Sequence, residues 1–573
     1  MSFGAGKARD PYERGARGPL RIVVLSPLAS GASSTRALPP PTPVAVDKLS
    51  FDRVMGALGP SLAIDVKDPF TPEGEALRVE LLWTDFKAMR ADGIANHVPA
   101  LRALTEARKI VLQVKAGRLG RSEARAELTR VLPRGAWAEA IAADLAPTGG
   151  PLPAKAPAPV PAKVSRIDAL FDKVAVAVPG DPSPQKSAAP AKAAPTAFSA
   201  LVAAVAAGGS GGGARAVVVG TSLERVERAF GGILREVLRH PEVHRLERAW
   251  RGLRLLVDHA DARAGVEIDV IPVAAEGVAG ALRRLFERPG AVALRAPIDL
   301  LVVDDEVGAS ERDSKRLRAW AELAMEHHTP LVVNGEASLI GREAPTEEAC
   351  RWVAVAVNGP LVRPAYTSSS HRLSDMPFRE DPEGGEAHVF AGPAMAIAAL
   401  SAESYVRTGW PSAIVGPRDG VIASLPVHEV DEAGQRLSIP IEVFVDDAIV
   451  KKAARAGIAL FACAPNHDSA ILACAPMFHE RAESPDETLG NQLFVGRFAS
   501  AVEQIAGALP PGISPTAGAS AVESALGELF RDRSPAGPEI EARIVGQRLE
   551  VTIRPRRVAG ITLQELTLGA PLA

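Results

Sequence analysis

Cysteine is scarce: Cys350, Cys463 and Cys474 are the only three in 573 residues. They cannot form a disulfide framework, and a reducing compartment is the expected setting. A surplus of one charge is also missing, because 65 Lys and Arg stand against 68 Asp and Glu for a net charge of −3. That balance removes the electrostatic case for a nucleic-acid partner. Long hydrophobic runs are absent as well. The opening MSFGAGKARDPYERGARGPL has no apolar segment of the kind a secretory signal needs, and AFSALVAAVAA (197–207) is too short and too alanine-rich to cross a bilayer. The expectation is a soluble, cytoplasmic protein without membrane insertion.

What is present is core-forming material: 47% of the residues are hydrophobic, and the length suits about three or four domains. Composition breaks once. Residues 146–214 are Pro, Ala, Gly and Ser, as in APTGGPLPAKAPAPVPAK and GGSGGGAR, which is the chemistry of a flexible linker. This divides the chain into a small domain at 1–145, the linker at 146–214 and a larger domain at 215–573. One amphipathic island, SRIDALFDKV (165–174), interrupts the linker. Ser165 suits an N-cap, Asp168 falls at the third helical position, and Ile167, Leu170, Phe171 and Val174 share a face. Two readings stay open: a helix folded back on a domain, or a short motif for a partner's groove.

Periodicity places strands at RIVVLSPL (21–28) and ALRVELLW (76–83), with helices at LSFDRVMGAL (49–58) and VPALRALTEARKIVLQV (98–114). After the linker, EIDVIPV (267–273), DLLVVDD (299–305) and PLVVN (330–334) read as buried strands, with helices around GVAGALRRLFE and SKRLRAWAELAMEHH between them. VAVAVNG, SAIVG and GIALFAC suggest further strands, and IEARIVGQRLEVTIRP (540–555) reads as two strands around a Gly-Gln turn. The fold class is α/β: a small α/β unit joined to a larger α/β domain with a β-rich C-terminal region. Alternation of this kind implies parallel pairing.

Candidate chemistry stays incomplete. HPEVH (240–244) spaces two histidines like a zinc motif, but Pro241 belongs in a first helical turn, which puts His240 at the helix mouth. The stripe Val243, Leu246, Trp250, Leu253, Val257 reads as packing, with Arg245, Arg248 and Arg251 facing away. LLVVDDE (300–306) has a Walker B form, with Asp304 and Asp305 able to hold magnesium, yet no GxxxxGK[ST] occurs. Cys463, His467, Cys474 and His479 have metal-binding chemistry at a spacing that suits no tetrahedral site. His327 and His328 close a helix, where a cation complements the dipole. No catalytic set, cofactor site or metal site is expected.

Whole segments carry more information than these motifs. LRHPEVHRLERAWRGLRLLVD (238–258) resembles the "HPEFQxLExAWRGL" helix of the large subunit (TssC-like) of the bacterial type VI secretion contractile sheath. The likeness continues through 298–341, HVFAGPAMAIA (388–398), GWPSAIVGPRDGVIASLPVHEV (409–430) and the final LQELTL. LSFDRVMGAL and VELLWTDFKAMRADGIANHVPALRALTEARK (79–109) are similar to the "FDEVM" helix and "VPxLRxLxEAR" segment of the small sheath subunit (TssB-like). Small and large subunits, normally separate chains, stand here in one.

The resemblance implies a structural protomer, with no enzyme activity, of hexameric rings stacked around an inner tube, mounted on a baseplate and contracting to propel the tube. Strands donated between copies would knit the lattice, with 540–555 as acceptors and ARAVVVG (214–220) as a donor. It also implies an AAA+ unfoldase that recycles the sheath by gripping a helix at the position of SRIDALFDKV. Ile167, Leu170 and Phe171 would be its anchors, with Arg166 and Asp168 at the rim. The alternative is a sheath-related scaffold or cap that binds baseplate or tube without polymerising, and an α/β enzyme using Asp304, Asp305 or the Cys/His cluster stands further back.

Overall fold

The computed structural model describes residues 18–29, 42–70, 76–145, 212–287, 297–373, 376–380, 387–432, 434–480, 484, 486–530, 537–556 and 558–572. The amphipathic island at 165–174 lies outside them. The chain divides into two compact units, one of Met1–Arg102 with Ala229–Ala573 and the other of Ala103–Arg228.

The first unit opens with β1 (Leu20–Ser26), β2 (Val44–Val46), α1 (Phe51–Leu58) and a hairpin of β3 (Ser61–Val66) with β4 (Leu77–Leu82), then α2 (Ala91–His97). The short expected elements therefore form within a residue or two of their readings. The second unit contains most of α3 (Pro99–Lys115), then α4 (Arg121–Val131), α5 (Gly135–Ala142) and the start of α6 (Gly212–Arg239). Leu104, Val111, Leu128, Trp137 and Ile141 are buried in it. Arg108 pairs with Glu227 at 2.8 Å and Arg225 donates to the Ala140 carbonyl at 2.7 Å.

ARAVVVG (214–220), read as a strand to donate, instead lies in α6. Its valines favour strands, but helix propagation adds a hydrogen bond per residue once a nucleus exists, and the helix beginning there runs on to Arg239.

Beyond α6 the first unit continues with α7 (Pro241–His259), β5 (Val266–Pro272), α8 (Val278–Glu287), β6 (Leu300–Val307), α9 (Glu311–Glu326), β7 (Leu331–Gly335) and β8 (Val353–Val357). Then come β9 (Leu361–Arg363), β10 (Val389–Phe390), α10 (Pro393–Thr408), the single turn α11 (Gly416–Asp419), β11 (Val421–Ile422), and the hairpin β12 (His428–Glu432) with β13 (Gln435–Ile439). α12 (Asp447–Arg455), β14 (Ile458–Cys463) and β15 (Ala470–Cys474) follow. SAIVG (412–416), expected as a strand, is a non-strand segment, buried over Ser412–Ile414 and exposed at Val415, in which the Ser412 hydroxyl donates to the Ala559 carbonyl at 2.8 Å. Its polar groups are met by a loop rather than by a ladder.

One nine-stranded sheet organises these elements in the order β11-β15-β14-β8-β7-β6-β1-β5-β2. From β14 through β5 the neighbours run parallel, as the strand and helix alternation implied. Leu282 and Leu285 of α8, Leu317 and Trp320 of α9, and Ala453 of α12 share one core with the sheet valines. The almost wholly buried α10 crosses the strands and packs against α7.

A second core lies toward the C-terminus. α13 (Leu489–Ala508) and α14 (Pro515–Glu528) cover a sheet of β16 (Glu539–Val545), β17 (Arg548–Arg554) and β18 (Leu566–Pro571). Phe494, Phe498, Leu549, Val551 and Ile553 are fully buried there. β16 and β17 turn at Gly546, whose φ of 63° suits a residue without Cβ. This is the hairpin read from the sequence.

Candidate functional site

β1 arrives from the small N-terminal region and becomes an interior strand of the large sheet. It pairs in parallel with β5 from Leu20↔Val266 to Ser26↔Pro272 and with β6 from Ile22↔Leu300 to Leu25↔Val303. All seven of its residues are buried, and one of them is Arg21. A charge in a strand covered on both faces must be paired. The Arg21 guanidinium donates from Nε and Nη2 to Asp269 Oδ2 on β5, at 3.0 and 2.8 Å.

A second acid holds the strand's backbone. Asp299, just before β6, accepts the Arg21 backbone N–H at 2.8 Å through Oδ2 and Arg497 Nη1 at 2.7 Å through Oδ1. Burial pushes the Asp299 carboxyl above its usual range, and Arg497 beside it pulls the other way. Arg497 also donates to the Gly18 carbonyl at 3.0 Å, and the Tyr405 hydroxyl donates to the same oxygen at 2.8 Å. The start of the strand is thus held from β5, β6, α10 and α13.

The far end of β1 meets the first suspected catalytic acid. Asp304 Oδ2 accepts the Ser26 hydroxyl at 2.8 Å, and Oδ1 accepts Asn334 Nδ2 at 3.0 Å. Asn334 Oδ1 accepts the Ala394 N–H at 3.0 Å and so satisfies an orphan donor in the first turn of α10. Gly392 sits so close that a Cβ there would lie 2.8 Å from both Asn334 and Asp304. Asp305 is paired with Arg316 at 2.6 Å. Both acids of the Walker-like strand therefore serve packing and capping.

α7 clamps the segment leaving β1. Val243, Leu246, Trp250, Leu253 and Val257 are buried as the stripe predicts, and Trp250 Nε1 donates to the Leu28 carbonyl at 2.9 Å. Phe51 of α1 meets the Trp250 ring edge-on at 5.6 Å. His240 is the N-cap, accepting the Glu242 N–H at 3.4 Å, and His244 Nε2 lies 2.9 Å from the His388 carbonyl, so the pair is spent on the helix mouth and its neighbour.

Arg251 departs from its expected outward pose. It turns back to Glu247, 2.7 Å away, which is almost wholly buried. Glu247 also accepts Arg363 Nε at 2.8 Å, and Arg363 Nη1 reaches Glu380 at 2.7 Å. Burial acts on Glu247 to raise its pKa, but Arg363 and Arg251 outweigh it and hold the carboxyl below its usual range. The sequence reading missed this four-residue network. Its only local signal was the i, i+4 spacing of Glu247 and Arg251.

The remaining candidates are not brought together. Cys463 pairs with Ala470 and Cys474 with Leu460 across the β14–β15 hairpin, which sets the thiols about 10 Å apart along the strands. Burial pushes both thiols up to about 11, far from thiolate chemistry at neutral pH. His467 is exposed and His479 buried. His327 stacks on Phe286 at 3.8 Å, and burial lowers its pKa, so the neutral ring is favoured over the cation expected at that helix end. Among the described residues, no group of three or more His, Cys, Asp or Glu is placed to hold a metal ion, and no helix is long and apolar enough to cross a membrane.

Comparison with known proteins gives two family matches. Residues 14–146 match the family model described as type VI secretion system, VipA. Residues 221–291 and 342–479 match that of the EvpB tail sheath N-terminal domain, VipB. The type VI secretion system sheath protein TssC1 of Pseudomonas aeruginosa is 22% identical over 303 residues, 45% of this chain. The chain spans 61% of that relative's length. Two solved structures are similar at a TM-score of 0.31. One is the anti-feeding prophage baseplate, at 13% identity over 57% of this chain and 76% of that one. The other is the contracted anti-feeding prophage helical sheath, at 15% identity over 56% and 77%.

Proposed function

We propose, from a chain that joins a VipA-family region to a VipB tail-sheath region of the type VI secretion system, that it is a one-chain protomer of a contractile sheath. It would polymerise as stacked rings around an inner tube, on a baseplate in the bacterial cytoplasm, and contract to drive the tube outward. The observation that carries this reading is β1. A strand of the VipA region pairs on both sides with strands from beyond residue 229, which supports reading the two regions as parts of one building block. Such a block stores no chemical bond energy. Its work comes from the difference between two packings of many identical interfaces, which change cooperatively because packed cores are bistable.

The C-terminal sheet fits this role. Of the expected acceptors at 540–555, β17 is paired on both sides, which leaves β16 and, beyond it in sequence, β18 as the edges a neighbour's strand would join, with the Ala542 N–H of β16 already accepted by Glu523 at 2.9 Å. Electron microscopy of the purified full-length protein tests the reading. Rods or helical tubes are expected, and discrete particles at every concentration would instead support a scaffold or cap.

Recycling forms part of the same proposal. The segment 165–174 would be the grip for a hexameric AAA+ unfoldase, with Ile167, Leu170 and Phe171 seated in a groove and Arg166 and Asp168 at its rim. Phe171→Ala is expected to weaken binding of the peptide 160–180 to the unfoldase's N-terminal domain about tenfold or more, because buried aromatic anchors dominate such contacts. Equal affinity by fluorescence anisotropy would remove the claim.

A further inference from the structure

We propose that the root of the β12–β13 hairpin is an acid-sensitive joint, in which two facing imidazoles, His388 and His428, hold the hairpin against the β9–β10 ribbon while neutral and release it when protonated. The inference concerns one copy of the chain and stands apart from the sheath reading.

The ribbon is short, with Val389 opposite Arg363 and Phe390 opposite Leu361. His388 closes its open end: its Nδ1 accepts the Ala365 N–H at 3.1 Å, and its carbonyl lies 2.9 Å from His244 Nε2 of α7. On the hairpin side, His428 Nε2 donates to the Ile441 carbonyl at 2.7 Å, and the Leu361 N–H of β9 donates to the Pro440 carbonyl at 2.7 Å. The two imidazoles meet at 4.8 Å between centroids, and Phe390 stands edge-on to His428 at 5.4 Å. The Ser438 N–H donates to Asn466 Oδ1 at 3.0 Å beside this root. Beyond it, among the described residues, no hydrogen bond or ion pair links Val430–Leu437 to another element. A two-stranded ribbon of five residues a side is marginal by itself, so its order depends on the root.

A ring nitrogen that accepts a backbone N–H has no place for a proton. Protonation of His388 would turn Nδ1 into a second donor aimed at the Ala365 N–H and set a cation against the His428 ring. No neighbour offsets that charge. From β9 comes Arg363, a cation whose carboxylates, Glu247 of α7 and Glu380, are bonded to it. From α7 comes His244, already bonded to the His388 carbonyl, and from β12 comes His428, whose own protonation would add a second positive charge. Glu429, next to His428, pairs with Arg436 instead. Burial above all, then His428 and Arg363, push the His388 ring down to about 4 from the usual 6.5. A ring freed by opening takes its proton near 6.5, the packed ring only near 4, so the closed joint is fully favoured above about 6.5 and loses ground as the pH falls toward 4. The full shift corresponds to about tenfold more opening at pH 5.5 than at pH 7.5, and solvent around the half-buried ring reduces this to several-fold.

Hydrogen exchange of the full-length protein, read by mass spectrometry and corrected for the pH dependence of the chemical step, tests the joint. Peptides covering 359–366, 388–391 and 427–441 are expected to exchange about three- to tenfold faster at pH 5.5 than at pH 7.5, while β6 and β7 stay unchanged. His388→Asn places an acceptor that cannot titrate near the position of Nδ1, and it should remove the difference. Equal exchange of the wild type at the two pH values would overturn the proposal, as would a wild-type response retained in His388→Asn. If His388→Asn exchanges fast at both, the joint needs the ring, and a pH series on the wild type decides. A rise that begins near pH 6.5 upholds the histidines. One that begins only below about pH 4.5 assigns the opening to carboxylates such as Glu247 and rejects them.

Discussion

Asp269→Ala is expected to cost the first unit about 3–5 kcal/mol, read as a lowered urea midpoint or loss of soluble protein. The reason is the partner left behind. Arg21 is 1% exposed and its Nε and Nη2 both point at Asp269 Oδ2, so removing the acid takes the counter-charge and both of these bonds from a cation in a fully covered strand. Against a typical net stability of about 5–15 kcal/mol, that loss is a large share. Adding Arg21→Met to Asp269→Ala should recover most of it, because an apolar side chain of similar length needs no partner there. If the single variant unfolds at the wild-type midpoint, the pair does not hold β1. The pair also specifies register: a one-residue slip of β1 would swing Arg21 to the opposite face of the sheet, away from Asp269.

The elements of this fold were legible because their signals are local. The strand run RIVVLSPL at 21–28, the stripe of α7 and the Gly546 turn each declare themselves within a few residues. The place of β1 was not legible. Its partners β5 and β6 lie more than two hundred residues downstream, and a buried parallel strand carries no mark of which neighbour it takes. The same holds for the polar groups. Asp304 looked catalytic because a strand end with two acids suits a metal, and only the positions of Ser26 and Asn334 reveal that its oxygens are already engaged. Glu247 was passed over because a glutamate on a helix reads as solvated, while Arg363 and Glu380, 116 and 133 residues further along, decide its burial. The extended reading of 214–220 failed for the opposite reason: a local preference of three valines yielded to a helix that continues through them.

Glu247→Ala is expected to destabilise the same unit by about 3–5 kcal/mol at neutral pH, since it leaves Arg363 with one carboxylate in place of two and Arg251 with none. Glu247→Gln keeps the shape and isolates the charge. The folded pKa of Glu247 lies below its ordinary value of 4.5, so ionised Glu247 contributes stability that is fully present above that value. This contribution is lost as the pH falls through the folded pKa. The wild type should therefore lose stability in acid below about pH 4.5, and the gap between it and Glu247→Gln should narrow over the same interval. Urea midpoints of both proteins from pH 7 downward measure this directly. A gap that stays constant with pH would mean that Glu247 stabilises by filling space, and that Arg363 draws its compensation from Glu380 alone. In that case α7 would be joined to β9 by packing rather than by charge, and the network would have no hold on how the helix moves against the sheet.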